Sequence, residues 1–373
     1  MKKILFLTGT RADYGKLRDL IKPIDKHIDF ESYVFITGMH MLTKYWFTAD
    51  EVIAENHQNT YLNINQFIGE HPEMILSNTV RNLSQYVHEI SPDLIVIHWD
   101  RVEALAWAIV GVFSNILVAH IEGGESSWSM DESIRYSISK LSHIHFTANE
   151  IFAKKLEQIG ENPENIYPIG SPDFDVILSN KLPQIEDVKK RYNIPFDNYG
   201  IFIFHSVTTE VWMFEQYCSE VIKWLTESKK KFIIIYPNND PGSDIVLKYL
   251  KKCADEKIFN ETYCIFCSVL FNDFLTLLKN AKCIVGNSSV GVRQAPVLSV
   301  PTINIWTRQK NRNTWESIYN VWYNSQEITN KINEVWEENI IYPPCLTFWD
   351  GRAAERFMKI IETERFWKTL IQK

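Results

Sequence analysis

The sequence lacks the two glycine-rich patterns that mark the commonest nucleotide-binding loops. Neither G-x-x-x-x-G-K-[ST], the phosphate loop of many ATPases and GTPases, nor G-x-G-x-x-G, the dinucleotide fingerprint, occurs in its 373 residues. These absences argue against ATP-type metal chemistry and against a nicotinamide-dependent oxidoreductase.

The chain also lacks a long hydrophobic run and an excess of basic residues. Its longest strongly apolar stretch, ALAWAIVGVF at residues 104–113, is about half as long as a bilayer requires. The first apolar run, ILFL, is too short for a secretory leader. The net charge is −7, whereas nucleic-acid-binding domains usually carry a basic stripe. We therefore predict a cytoplasmic protein that binds neither nucleic acid nor a membrane.

Cysteine is scarce and scattered. Of six cysteines, only Cys264 and Cys267 form a C-x-x-C pair, and no second pair or His-x₃-His pattern follows them. The two residues between them are apolar, and the flanking residues resemble a strand. This pattern favours buried, reduced thiols over a zinc or redox centre.

What the chain does contain is an alternation of short apolar runs with segments of helical periodicity. Such an alternation predicts parallel sheets covered by helices on both faces. The first set of predicted strands lies at residues 4–7, 33–36, 93–98, 116–121 and 143–146. A second set lies at residues 200–205, 231–237, 283–286 and 301–306.

Between the two sets, the proline-containing stretch 168–198 has no strong strand pattern. We therefore predict an α/β fold of two Rossmann-like, doubly wound parallel-sheet domains that face a cleft. The amino-terminal domain would span residues 1–180 and the carboxy-terminal, nucleotide-binding domain residues 181–373. The last helix, predicted within GRAAERFMKIIETERFW, would pack back on the first domain.

Ligands bind beyond the carboxyl ends of the strands in such sheets, and polar residues follow several predicted strands. Gly9 and Arg11 follow the first strand, and Lys16 lies about one helical turn further on. Small residues let a ligand approach the backbone, and Arg suits phosphate. Asp100 follows the strand at 93–98. An ordinary strand-to-helix turn and a helix cap are the alternatives for these residues.

The richest stretch is AHIEGGESSWSMDESIRYSISKLSH, residues 119–143. Glu122 lies where a strand ends, and Glu125 follows a Gly-Gly turn. Asp131 falls in the first turn of a helix that a Ser129–Glu132 capping box would open. One acid in that turn could simply complement the helix macrodipole. Several carboxylates in one cleft instead suit general acid–base chemistry.

In the second predicted domain, His205 ends a strand, and CIVGNSSVGVRQAP at residues 283–296 joins a buried strand to a short helix that begins near Val292. Backbone N–H groups at such a turn bind anions. Arg308 lies in a basic loop after the next strand. A structural histidine, a tight turn and a solvated loop are the alternatives to a diphosphate cradle.

These stretches together resemble the hydrolysing UDP-N-acetylglucosamine 2-epimerases of bacterial sialic-acid and legionaminic-acid pathways. The matches run nearly end to end and include TGTRADYGKL, SPDLIVIHWDR, AHIEGGE, DESIRYSISKLSHIHF, FHSVTTE, GNSSVGVRQAP and VPTINIWTRQKNR. The resemblance implies a glycosyltransferase-B arrangement, a nucleotide-sugar substrate and a homodimer or homotetramer. It implies no cofactor and no metal.

The implied reaction is anti elimination of UDP from UDP-GlcNAc to 2-acetamidoglucal, followed by hydration to N-acetylmannosamine. The resemblance implies that the catalytic carboxylates are Asp100, Glu122 and Asp131. The implied substrate-binding residues are Arg11, Lys16, His205, Ser288, Ser289, Gly291, Gln294 and Arg308.

The sequence departs from the family pattern at several ligand-facing positions, which are Trp99, Ser206, Val290, Gln294, Trp306 and Asn311. Two tryptophans in place of glycine change the shape of a pocket, so the resemblance does not fix the identity of the sugar. UDP-GlcNAc is the first expectation, and UDP- or GDP-linked 2,4-diacetamido-2,4,6-trideoxyglucose is the second. A non-hydrolysing epimerase, a glycosyltransferase of the same architecture and an inactive binding module are the alternatives.

Overall fold

The computed structural model describes residues 1–127, 130–179, 181–255, 262–310, 312–337, 340–348 and 350–371. Ser129 of the predicted capping box and Asn311 therefore lie outside the described residues. The chain divides into two compact units. The first comprises Met1–Glu125, Asp131–Asn180 and Thr347–Lys373, and the second comprises Ser126–Met130 and Lys181–Leu346.

The first unit is built on a seven-stranded, fully parallel sheet of order β3-β2-β1-β4-β5-β6-β7. Its strands are β1 (Lys2–Thr8), β2 (Phe30–Ile36), β3 (Asn59–Leu62), β4 (Leu94–His98), β5 (Leu117–Ile121), β6 (Ile144–Thr147) and β7 (Ile166–Pro168). The central strands β4 and β5 are buried along their whole length, because helices cover both faces of the sheet.

Within the described part of the first unit, six α-helices connect consecutive strands of this sheet, and a seventh follows β7. They are α1 (Arg11–Asp25), α2 (Ala49–Ala54), α3 (Pro72–Ile90), α4 (Val102–Phe113), α5 (Met130–Leu141), α6 (Glu150–Gln158) and α7 (Pro172–Ile177). The α1 helix begins after Thr10, whose side chain accepts a hydrogen bond from the Asp13 backbone N–H. This cap places the first turn of α1 beside the carboxyl ends of the strands.

The single helix predicted at the end of the chain is two helices, α15 (Ala353–Ile361) and α16 (Glu364–Trp367). The break follows from Thr363, whose side chain caps α16 by accepting from the Phe366 N–H. Phe357 and Phe366 belong to the same buried cluster as Phe146 of β6. The Phe357 and Phe146 rings meet edge to face with centroids 5.0 Å apart. The end of the chain thus completes the core of the first unit.

The second unit holds a six-stranded parallel sheet of order β10-β9-β8-β11-β12-β13. Its strands are β8 (Gly200–Ile203), β9 (Phe232–Ile235), β10 (Tyr263–Phe266), β11 (Ile284–Gly286), β12 (Thr302–Ile305) and β13 (Ile318–Val321). Its helices are α8 (Ile185–Arg191), α9 (Val211–Glu227), α10 (Ser243–Asp255), α11 (Phe271–Lys279), α12 (Ser289–Val292), α13 (Gln294–Val297) and α14 (Ser325–Glu337).

Two details of the second unit differ from the sequence predictions. The helix after β11 begins at Ser289 rather than near Val292, because Ser288 already caps it by accepting from the Val290 N–H. Cys264 and Cys267 are not joined in a disulfide, as expected, but they are half-buried rather than buried. Cys264 lies in β10, an edge strand. Among the described residues, no helix combines the length and the apolar character that a membrane span needs.

Candidate active site

The first cluster of polar side chains lies where β4 and β5 end side by side. The strands pair in parallel with His98 opposite Ile121, so Trp99 and Glu122 leave the sheet together. Both residues have left-handed backbone, with φ of 67° at Trp99 and 63° at Glu122. Such values are strained for side chains larger than glycine, and strain of this kind concentrates at functional sites.

Glu122 is surrounded by hydrogen-bond donors. Its side chain is 1% exposed, and Oε2 accepts from His98 Nε2 at 2.9 Å and from Lys16 Nζ at 3.2 Å. The Ser171 hydroxyl donates to Oε1. Lys16 Nζ also lies 3.7 Å from a carboxylate oxygen of Asp173. Since every one of these side chains is buried, the charges interact in a medium of low polarity, where ion pairs are screened least.

His98 connects Glu122 to a second acid. Its Nδ1 donates to Asp13 Oδ1 at 2.7 Å, while its Nε2 faces Glu122. Burial alone lowers the pKa of His98, but the hydrogen bonds to Asp13 and Glu122 outweigh burial and raise it above 6.5. The two carboxylates therefore favour the protonated form of the ring that links them. Asp13 and His98 are not among the predicted site residues, although they lie in the motifs TGTRADYGKL and SPDLIVIHWDR.

Asp100 lies two residues beyond β4 and is bonded to Arg135 of α5. Arg135 is fully buried and also donates to the backbone carbonyl of Glu125. Burial lowers the pKa of Arg135, whereas the charges of Asp100, Glu125 and Asp131 raise it above its usual range. The half-buried Asp131, one helical turn before Arg135, lies close enough for its charge to contribute to this rise.

The second unit carries predicted residues that follow the strands β8, β11 and β12. His205 lies two residues beyond β8 and is fixed by Asn287, whose Oδ1 accepts from the His205 N–H at 2.7 Å and whose Nδ2 donates to the His205 carbonyl at 2.9 Å. The Asn238 N–H donates to His205 Nδ1 at 3.2 Å. Burial, and then the charge of Arg308, hold the pKa of His205 well below 6.5. The neutral ring therefore carries its proton on Nε2 and can donate to an anion.

The loop after β11 packs tightly against β12. A Cβ atom on Gly291 would lie 2.6 Å from the Thr302 methyl group, and Thr302 Oγ1 donates to the Gly291 carbonyl at 2.6 Å. Gln309 Nε2 donates to the Asn287 carbonyl at 2.8 Å, and Arg308 lies 3.8 Å from Asp240. These contacts hold the Ser288–Ser289 turn beside the basic loop.

Comparison with known proteins decides the family. The profile of the family described as UDP-N-acetylglucosamine 2-epimerase matches residues 22–362. The chain belongs to this family. A UDP-N-acetylglucosamine 2-epimerase of Neisseria meningitidis serogroup B is 46% identical to it, over 100% of this chain and 98% of that protein. The resemblance drawn from the sequence motifs is confirmed.

A more distant relative and a solved structure extend this result. The Legionella pneumophila "UDP-N,N'-diacetylbacillosamine 2-epimerase (hydrolyzing)" is 28% identical over 97% of this chain and 96% of its own length. The structure of UDP-GlcNAc 2-epimerase from Methanocaldococcus jannaschii, in complex with UDP-GlcNAc and UDP, matches with a TM-score of 0.80 at 23% identity, over 97% of this chain and 99% of that one. The predicted fold class, two Rossmann-like parallel-sheet domains of the glycosyltransferase-B type, is confirmed.

Within this family member, the predicted site residues fall into separate groups. Asp100 is bonded to Arg135, whose pKa the charge of Asp131 also raises, and Glu122 holds Lys16. Arg11 of α1, predicted to contact the diphosphate, is paired with Glu51 of α2. In the second unit, His205, Ser288, Ser289, Gly291 and Arg308 surround the turn after β11, and the buried Gln294 begins α13. Within the described ranges, no group of three or more His, Cys, Asp or Glu side chains is placed to hold a metal ion.

Proposed function

We propose that this chain is a hydrolysing 2-epimerase that converts UDP-GlcNAc and water into N-acetylmannosamine and UDP. The observation that carries the proposal is the pairing of Asp100 and Glu122, at the ends of neighbouring strands, with the buried cations Arg135 and Lys16. Charged carboxylates are costly to bury, and such clusters mark sites of acid–base chemistry. The relatives named above support the substrate and the hydrolysing outcome.

The first step in this scheme is elimination. The C1–O bond to UDP breaks and its electron pair leaves with the diphosphate, so positive charge develops at C1. We assign Asp100 and Glu122 to the stabilisation of that charge. A carboxylate then takes the proton from C2, and the C1=C2 double bond of 2-acetamidoglucal forms. Asp131 is our choice for this base, because it is half-buried whereas Asp100 and Glu122 are buried.

The leaving diphosphate needs donors at the same time. His205, neutral with its proton on Nε2, and the backbone N–H groups at the start of α12 supply them in our scheme, together with Arg308. The second step adds water across the double bond. A proton returns to C2 from the opposite face and hydroxide adds to C1, which gives N-acetylmannosamine.

Proton and carbon NMR of the purified protein with UDP-GlcNAc in D₂O tests the proposal. The expected products are free N-acetylmannosamine with deuterium at C2 and one equivalent of UDP. Accumulation of UDP-N-acetylmannosamine would show a non-hydrolysing epimerase instead. Absence of both UDP release and deuterium at C2 would refute the chemistry, and Asp131→Asn is the matched control for contaminating enzymes.

A second class of candidate substrate should be tested in the same experiment. Relatives named as hydrolysing epimerases of UDP- or GDP-N,N'-diacetylbacillosamine are 28% identical to this chain. We therefore propose UDP- and GDP-linked 2,4-diacetamido-2,4,6-trideoxyglucose as the alternative substrates. A higher kcat/KM for either of them than for UDP-GlcNAc would reassign the sugar and leave the chemistry unchanged.

The oligomeric state and the location also remain proposals. We propose a homodimer or homotetramer, supported by a patch of exposed apolar side chains between β3 and α3, which includes Ile64 at 70% and Phe67 at 67% exposure. Light scattering coupled to size exclusion should give two or four times the chain mass, and a monomeric mass would overturn this. Cell fractionation should place the protein in the cytoplasm.

A further inference from the structure

Trp99 has a backbone conformation that its side chain does not favour. Its φ of 67° lies in the left-handed region, which glycine adopts freely and a bulky residue adopts only under constraint. The constraint comes from two hydrogen bonds. The Trp99 N–H donates to the Ile121 carbonyl at 3.2 Å, and the Trp99 carbonyl accepts from His120 Nε2 at 2.8 Å. The neighbouring strand therefore fixes the direction of the indole.

The indole ring lies directly on the charged amine of Lys16. Lys16 Nζ is 3.8 Å from the ring centroid, 3.2 Å from Glu122 Oε2 and 3.7 Å from Asp173 Oδ2. The ammonium group is thus held between two carboxylates and one aromatic face. A cation–π contact is strongest when the cation is desolvated, and Lys16 is 5% exposed.

We propose that Trp99 is a positioning residue that holds the Lys16 ammonium group against Glu122 and keeps water away from this pair. The strained backbone is retained because it is the conformation that places the ring over the amine. Trp99 acts through Lys16 and does not itself need to touch the sugar. The proposal rests on the proposed function only for its kinetic consequence, since the contact itself can be measured without substrate.

Three variants at position 99 separate the effect of the aromatic ring from the effects of side-chain size and of backbone strain. Trp99→Phe keeps a ring, Trp99→Leu keeps apolar bulk without a ring, and Trp99→Gly removes the side chain while favouring the observed φ. Trp99→Gly should unfold at the same or a higher temperature than the wild type, because glycine relieves the strain. If Trp99→Gly does melt at or above the wild-type temperature, a loss of function in that variant does not come from misfolding.

Access to Lys16 is measured without substrate by reductive methylation with ¹³C-formaldehyde and peptide mass spectrometry. Lys2, whose side chain is 48% exposed, serves as the internal reference. Labelling of Lys16 relative to Lys2 should be low in the wild type and in Trp99→Phe, and several-fold higher in Trp99→Leu and Trp99→Gly. Equal labelling in all four proteins would overturn the proposal.

The kinetic arm follows UDP release from UDP-GlcNAc. Trp99→Leu and Trp99→Gly should lose about tenfold or more in kcat, the range expected when a desolvated cation–π contact is removed, with little change in KM. Trp99→Phe should stay close to the wild type. Equal kcat in the Phe and Leu variants would also overturn the proposal. If the wild type releases no UDP from any nucleotide sugar, the proposed function fails, and the methylation result still decides the role of Trp99.

Discussion

The carboxylate of Asp100 bonds to the guanidinium of Arg135 although both side chains are buried. Removing one partner from such a pair leaves an uncompensated charge in a medium of low polarity, which typically costs about 3 to 5 kcal/mol of unfolding free energy. We predict a loss of this size for Arg135→Leu, measured by urea denaturation. A loss below about 1 kcal/mol would mean that water reaches Asp100.

Asp100→Asn tests the catalytic assignment of the same pair. The amide keeps an oxygen that can accept from Arg135 but lacks the negative charge that would stabilise the developing cation at C1. We predict that turnover falls by at least about a hundredfold while the fold is retained. Circular dichroism is the control for folding. Near-normal UDP release would remove Asp100 from the mechanism.

His98 predicts a pH dependence of stability. Its pKa in the folded protein is raised above 6.5, so its contribution to stability is fully present below pH 6.5 and is lost as the pH rises through the higher folded value. His98→Gln cannot titrate. The wild type should therefore lose stability relative to this variant as the pH rises above 6.5, in urea titrations at several pH values. A constant difference would mean that folding does not shift the pKa of His98.

Asp175 predicts a dependence of the same sign at lower pH. Its carboxylate accepts from the N–H groups of Ala353 and Ala354 at 2.8 and 2.7 Å, but burial dominates and raises its pKa from 3.8 to about 6. The folded state then holds the proton more tightly than the unfolded chain, so stability falls as the pH rises from about 4 to about 6. Because Asp175 is only half-buried, we expect a loss of about 1 to 2 kcal/mol.

Asp175→Asn isolates this effect, because the other titrating groups are the same in both proteins. The stability of the variant relative to the wild type should rise across this pH range. A flat difference would show that solvent screens the carboxylate.

The close packing of Gly291 against Thr302 predicts that a side chain at position 291 destabilises the protein. A second substitution, at Thr302, should relieve this effect. Gly291→Ala would place a Cβ atom 2.6 Å from the Thr302 methyl group, and overpacking of this kind costs about 1 to 3 kcal/mol. Thr302→Ser removes that methyl group and keeps the hydroxyl that donates to the Gly291 carbonyl. The double variant should therefore recover most of the loss in thermal denaturation. Additive losses would place the strain elsewhere in the turn.

The sequence predicts best the strands that are buried on both faces, because such strands consist almost entirely of apolar residues. Strands β4 and β5 read as continuous apolar runs, and the acids that follow them could be named because parallel strands end at the same edge. Strand β3 was missed because its residues, Asn59–Leu62, are half-buried or exposed at the edge of the sheet. Strand β13 was missed for the same reason.

The partners of the acids were harder to predict than the acids. Arg135 looks like a helix-surface residue in the sequence, and only the packing of α5 shows that it is fully buried against Asp100. Lys16 was expected to contact the substrate because of the family resemblance. Its contact with Glu122 joins residues that are 106 positions apart in the sequence, and no local pattern reports such a pairing.

The late position of helices α15 and α16 in the sequence affects how the first unit folds during translation. The sheet of the first unit is complete once β7 has been synthesised, yet Phe357 and Phe366, which cover its apolar face, leave the ribosome only after the entire second unit. The nascent chain must therefore carry an open hydrophobic surface through much of translation. An expression fragment that stops at residue 180 should aggregate for this reason, even though it contains every strand of its sheet.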